Sequence, residues 1–122
     1  MDSVRDVMTT DLVTVDRTTT IAEAATAMGT RHVGSALVVE EGRATGIFTE
    51  RDVLRALASD FDAGKDLVER WMTRDPVAIE VATGRQEALT LMLERGFRHL
   101  VVTDGGLLVG IVSLRDLSRP EG

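Results

Sequence analysis

The chain has no cysteine, no tyrosine, one tryptophan, two prolines and two histidines in 122 residues, and each shortage removes a class of function. Without cysteine there is no thiol nucleophile, no disulfide staple and no thiolate-bound zinc. Two histidines, with neither an HExxH nor a G-x-S-x-G pattern, leave no recognisable nucleophile with its base and no metal-ligand cluster. The chain is therefore expected not to be an enzyme, with no metal and no catalytic cofactor. Basic residues are also short, 14 against 20 acidic, for a net charge of −6. Nucleic-acid affinity comes mainly from basic side chains neutralising phosphates, so no nucleic-acid partner is expected. No apolar run approaches the roughly 18 residues that cross a bilayer, and Met1-Asp2-Ser3-Val4-Arg5-Asp6 does not read as a signal-peptide start. The expected address is cytoplasmic, without a membrane.

What the chain does have is itself, twice. Sliding the sequence by sixty-four residues lays Val4 on Val68 and runs without a gap to Arg55 on Arg119. Met8, Asp11, Val13, Glu23, Ala24, Met28, Arg31, Val38, Gly42, Gly46, Ile47, Arg51 and Asp52 all meet their own residue type. Two copies of this length are too few and too long for a solenoid, so each reads as a small mixed unit paired with its twin. The expected organisation is repeat one over 1–58, a polar connection over 59–66 and repeat two over 67–122. Halves of about 60 residues bury only marginal cores alone.

Within a copy, Ile21, Ala24, Ala25 and Met28 follow the i, i+3, i+4, i+7 spacing of an amphipathic helix, opened by a Thr20/Glu23 capping box. Ala88, Leu89 and Met92 repeat the face, and Gly96 stands where the helix would stop. Ser35–Val39 and Ala44–Phe48, joined at Glu41-Gly42, predict a hairpin. Val13–Val15 and Val77–Ile79 predict short strands, and a second helix is predicted from Thr49. The unit is β-α-β-β-α, an α+β fold, with the last helix of copy two cut to about a turn and a half before Pro120.

The seven residues GIFTERD, from Gly46 to Asp52, return as GIVSLRD, from Gly110 to Asp116. Thr49/Asp52 and Ser113/Asp116 both fit the [ST]-x-x-[DE] capping box, whose loss costs about 1 kcal/mol. A carboxylate can also accept two hydrogen bonds from a diol, and a helix start offers free N–H groups to an anion. An acid turned inward to bond only its own main chain, with nothing hollow beside it, would leave the cap as the whole account. A paired acid and base is a poor reading of Asp52 and Asp116, because duplication gives them equal neighbours while acid–base chemistry needs two different environments.

The ordered set MTTDLVTV, GSALVVEEGRATGIFTERD and RHLVVTDGGLLVGIVSLRD, spanning Val4 to about Ser118, resembles the CBS domain, whose members usually come as a tandem pair called a Bateman module. The resemblance implies two repeats related by a pseudo-twofold and packed through their sheets, in a regulatory module that senses an adenosine-containing ligand in a cleft between the repeats. The expected ligands are AMP, ADP, ATP, S-adenosylmethionine or NAD, with the acidic balance favouring an AMP-like molecule of few charges. The first pocket is expected to use Thr49, Asp52 and His99 with Ile79 and Thr83, the second Ser113, Asp116 and Arg98 with Val15, Thr19 and Ser35. Arg98-His99 supply positive charge for phosphate where copy one has Gly34-Ser35. Arg31-His32 could substitute there, or Arg31 could cap its helix. The resemblance also implies a homodimer, fed by Val53, Leu54, Leu57 and Phe61 or by Trp71, and a separate, unidentified effector protein. Trp71 is read first as packing between the halves. The competing reading is a dimerisation or interaction module with no nucleotide site.

Overall fold

The structure is a computed structural model that describes residues 2–59, 62 and 64–120; Phe61 lies outside them. Its elements follow the predicted order: β1 (Thr14–Val15), α1 (Ile21–Arg31), β2 (Ser35–Glu40), β3 (Arg43–Thr49), α2 (Glu50–Leu57), β4 (Thr73–Arg74), β5 (Ala78–Glu80), α3 (Arg85–Arg95), β6 (His99–Asp104), β7 (Leu107–Ser113) and α4 (Leu114–Leu117). Short 3-10 turns at Val4–Asp6 and Val68–Arg70 precede the strands of each copy. These turns and β4 were not legible as elements.

The local signals act as expected. Thr20 accepts from the Glu23 N–H while the Glu23 carboxylate accepts from the Thr20 N–H at 3.0 Å, which fixes where α1 begins. α3 ends at Gly96 in the left-handed conformation, φ 74°, which costs glycine little. Glu41 and Gly42 both take positive φ and close the β2–β3 hairpin, as the primed turns of tight hairpins require.

Two compact units result, and they are not the two sequence repeats. One is Asp11–Asp75; the other joins the opening segment, up to Thr10, to the chain from Pro76 onward. The beginning of each repeat is thus built into the body of the other. In the first unit the sheet order is β1-β2-β3-β4, with Thr73 and Arg74 pairing antiparallel to Ile47 and Gly46. Val68 is fully buried there among Ile21, Met28 and Phe48. In the second unit the sheet is β5-β6-β7, and Thr9 makes the corresponding bridge to Ile111. Val4 is fully buried there among Met92, Leu100 and Val112. Full burial of one valine contributes roughly 1.5–3 kcal/mol.

The exchange also explains the repeated Gly-Ile. Met72 lies against Gly46, and a Cβ on Gly110 would come within 2.8 Å of Met8 Sδ and 3.0 Å of the Thr9 carbonyl. Gly46 admits the incoming Met72 side chain, and Gly110 admits both the Met8 side chain and the Thr9 carbonyl, close to the hairpin.

Candidate functional site

Each hairpin ends in a hydroxyl residue that caps the following helix. Thr49 stands opposite Ser35 in the β2–β3 register and begins α2; Ser113 stands opposite His99 in the β6–β7 register and begins α4. The carbonyl of the residue before each incoming strand accepts the helix's first N–H: Gly34 from Glu50 at 3.0 Å, Arg98 from Leu114 at 2.8 Å. Hairpin and helix start are tied at the same place in both units.

The acids occupy equivalent seats. Asp52 Oδ2 accepts from the Thr49 N–H at 2.9 Å, and Asp116 Oδ2 accepts from the Ser113 N–H at 2.9 Å. In return the Asp52 N–H reaches Thr49 Oγ1 at 3.3 Å and the Asp116 N–H reaches Ser113 Oγ at 3.0 Å. The capping-box reading is realised twice. The other oxygen of each acid meets a guanidinium three residues on, Arg55 at 2.9 Å from Asp52 Oδ1 and Arg119 at 3.4 Å from Asp116 Oδ1. Both acids are buried, while both arginines are more than half exposed. Neither acid is turned wholly onto its own main chain: one oxygen serves the cap, and the other serves a partner at the protein surface. Sequence reading missed both arginines, although Arg55 and Arg119 align with each other and sit at the i+3 spacing of helical ion pairs.

The remaining candidates divide between the units. Val15 in β1 pairs with Val38, and Ile79 in β5 pairs with Val102. The Thr19 carbonyl accepts from the Val68 N–H and the Thr83 carbonyl from the Val4 N–H, each at 2.9 Å, so these loop threonines receive the exchanged segments. Thr19 Oγ1 accepts from the Asp16 N–H at 3.2 Å. Hydrogen bonds from the Thr18 hydroxyl and then the Thr18 N–H hold the Asp16 carboxyl below the usual range. The Arg98 side chain is exposed and makes no ion pair among the described residues, and His99 is half-buried. The Arg31 guanidinium pairs with Asp11, and His32, in the left-handed conformation, takes the C-cap of α1. Trp71 packs against the Asp11–Asp75 core with its Nε1 buried and unpartnered among the described residues, beneath the guanidiniums of Arg55 and Arg70.

An open hollow of about 560 Å³ runs along α1 and α2, walled by Ala25, Met28, Val33, Val53 and Leu54. Neither Thr49 nor Asp52 lines it. Among the described residues no cluster of three or more acidic or histidine side chains could hold a metal, and no helix is long and apolar enough to cross a membrane.

The CBS domain family model matches the chain twice, over residues 4–59 and 65–119. The chain belongs to the CBS domain family. It is 40% identical over 119 residues to the CBS domain-containing protein YhcV of Bacillus subtilis, covering 97% of this chain and 84% of that one. Among solved structures, a CBS domain protein from Pyrobaculum aerophilum complexed with AMP superposes with a TM-score of 0.82 at 28% identity, covering 96% of this chain and 91% of that one. The CBS domain pair of protein MJ0100, in complex with 5′-methylthioadenosine and S-adenosylmethionine, superposes with a TM-score of 0.82 at 26% identity, covering 97% and 94%. As a tandem CBS pair, the chain has the α+β class that its repeats predict.

Proposed function

We propose that the chain is a regulatory module that binds an adenosine-containing ligand of low charge, with Asp52 and Asp116 as the ribose acceptors and Arg98 and His99 meeting the phosphate side. The observation that carries this reading is the twice-repeated buried carboxylate with one oxygen committed to the cap and the other held, among the described residues, by a surface arginine alone. Its support from outside the chain is that similar CBS pairs are complexed with AMP or with 5′-methylthioadenosine and S-adenosylmethionine. A ribose diol can replace the guanidinium on the outer oxygen without undoing the cap. Thr49, Ser113, Ser35, Thr19 and Thr83 supply polar edges, and Val15 and Ile79 apolar ones, for the rest of the nucleoside. Binding stabilises the arrangement that holds ligand best and so shifts the population presented to an effector protein. The role is binding rather than catalysis, in the cytoplasm.

A second reading has its own observation: Leu54 and Leu57 stand about two-thirds exposed on α2, Leu54 at the edge of the hollow. Exposed large apolar side chains beside a groove walled largely by apolar residues, with His32 and Glu50 at its lining, favour self-association into a homodimer. Leu54→Glu with Leu57→Glu is expected to give a monomer by light scattering; an unchanged mass would dismiss this surface.

Thermal melts with AMP, ADP, ATP, S-adenosylmethionine and NAD test the ligand. A ligand at a hundred times its dissociation constant stabilises by about 2.7 kcal/mol. Asp52→Asn with Asp116→Asn keeps an acceptor for each cap but removes the charged one for a diol, so the variant should fold and lose the shift. No shift with any of the five, or an equal shift in the variant, would defeat the proposal.

A further inference from the structure

The cap halves of the two sites share the same 2.9 Å bond, from the Thr49 N–H to Asp52 and from the Ser113 N–H to Asp116. The outer halves do not. Arg55 lies 2.9 Å from Asp52 Oδ1, and its guanidinium carbon also sits 5.8 Å from the centre of the Trp71 ring. That distance is within the reach of a cation–π attraction. Trp71 cannot easily follow a departing guanidinium, because the ring is packed on the Asp11–Asp75 core. Arg70, the other cation over the ring at 5.4 Å, is neutralised by Asp66 at 3.3 Å and does not drive Arg55 away. In the second unit, Arg119 stands 3.4 Å from Asp116 Oδ1, and the residue aligned with Trp71 is Val7, which has no π face to steady a guanidinium.

The geometry points to Arg55 and Trp71 as the residues that rank the two sites: Arg55, held in place by the indole, competes with a ribose diol for Asp52, so that Asp116 fills first. This rests on the adenosine reading and adds an order to it. The competitor at Asp52 has two attachments, the carboxylate and the ring, whereas the one at Asp116 has, among the described residues, a longer ion pair and no ring contact. Losing the ring contact is worth a two- to fivefold change in affinity, the scale of an exposed cation–π pair.

Calorimetric titration of the full chain with AMP tests it, with Asp52→Asn and Asp116→Asn each isolating the other site. The site left in Asp52→Asn should be the tighter. In the Asp116→Asn background, Trp71→Val, which copies Val7, should tighten the remaining site about two- to fivefold. Arg55→Gln, which leaves the indole and its packing intact, should tighten it too and guards against a folding defect in the tryptophan variant. Because Trp71 is the only tryptophan, its emission should change with the weaker event, and Arg55→Gln should abolish that change while heat is still released. A tighter Asp52 site, equal sites, or no tightening in either variant would overturn the ranking while leaving the adenosine reading intact. Absence of any binding heat would instead remove the adenosine reading, and the ranking with it.

Discussion

Val4→Ala distinguishes the exchanged architecture from a chain in which each repeat closes on itself. Val4 is fully buried in the core that contains Met92, Leu100 and Val112. Removing two buried carbons forfeits about 0.8 kcal/mol each, and the unfilled space adds to that, for a loss of about 2–3 kcal/mol. The size of the loss alone does not say which core is damaged; a double-mutant cycle does. Met28 and Met92 are the same residue of the two copies, one in each core. Urea denaturation of the single and double variants should show Val4→Ala coupled to Met92→Ala by about 0.5 kcal/mol or more. With Met28→Ala the losses should add to within about 0.3–0.5 kcal/mol. Val68→Ala should show the mirror pattern, coupled to Met28 and additive with Met92. Coupling of Val4 to Met28 with additivity toward Met92 would refute the exchange.

Gly110→Ala should destabilise by about 1–3 kcal/mol and more than Gly46→Ala, because the new methyl meets the Thr9 backbone as well as Met8, whereas at Gly46 the three nearest atoms all belong to the flexible Met72 side chain; equal losses in urea would contradict this. Arg85 is buried, with its Nε donating to the Leu117 carbonyl at 3.2 Å and its Nη1 to Asp2 at 3.0 Å. Arg85→Ala is expected to cost about 2–3 kcal/mol, with Asp2 partly exposed and able to rehydrate; Arg85→Ile, the residue of copy one, should recover part of it. The Glu23 carboxyl is held below its usual range by the Thr20 N–H and then the Thr20 hydroxyl. In unfolded chain it titrates near 4.3 and so binds protons first on acidification. Its stabilisation is therefore complete above that value and is lost as the pH falls through the lower folded pKa. Glu23→Gln should flatten the loss of stability on acidification below the unfolded carboxyl's titration; an unchanged acid slope would contradict the assignment.

Most of the local structure was legible because its causes are local. Thr20 with Glu23, Glu41 with Gly42, and Gly96 each fix a boundary through contacts within a few residues. The exchange was not legible, and the reason is degeneracy: Val4 and Val68 are identical, as are Met8 and Met72, so either segment suits either core by pattern. Chain connectivity and packing decide, and neither shows in periodicity. Arg85 did leave a signal, a charge where the twin has Ile21, and it marks the point at which the second core is tied to Asp2 and the short α4. At the site, the hydroxyl and the acid were readable as a cap from spacing alone. Their link to a nucleoside came from family resemblance, and the guanidiniums at i+3 needed coordinates to be noticed.

The glycines against which Met8 and Met72 lie sit in sheets whose hairpins come from the other repeat. Cleaving the chain in the connection would consequently yield fragments each missing its finishing piece and carrying the other's. Mixed together they have a reason to find one another that neither has to fold alone, so joint expression of the severed halves should rescue what separate expression cannot.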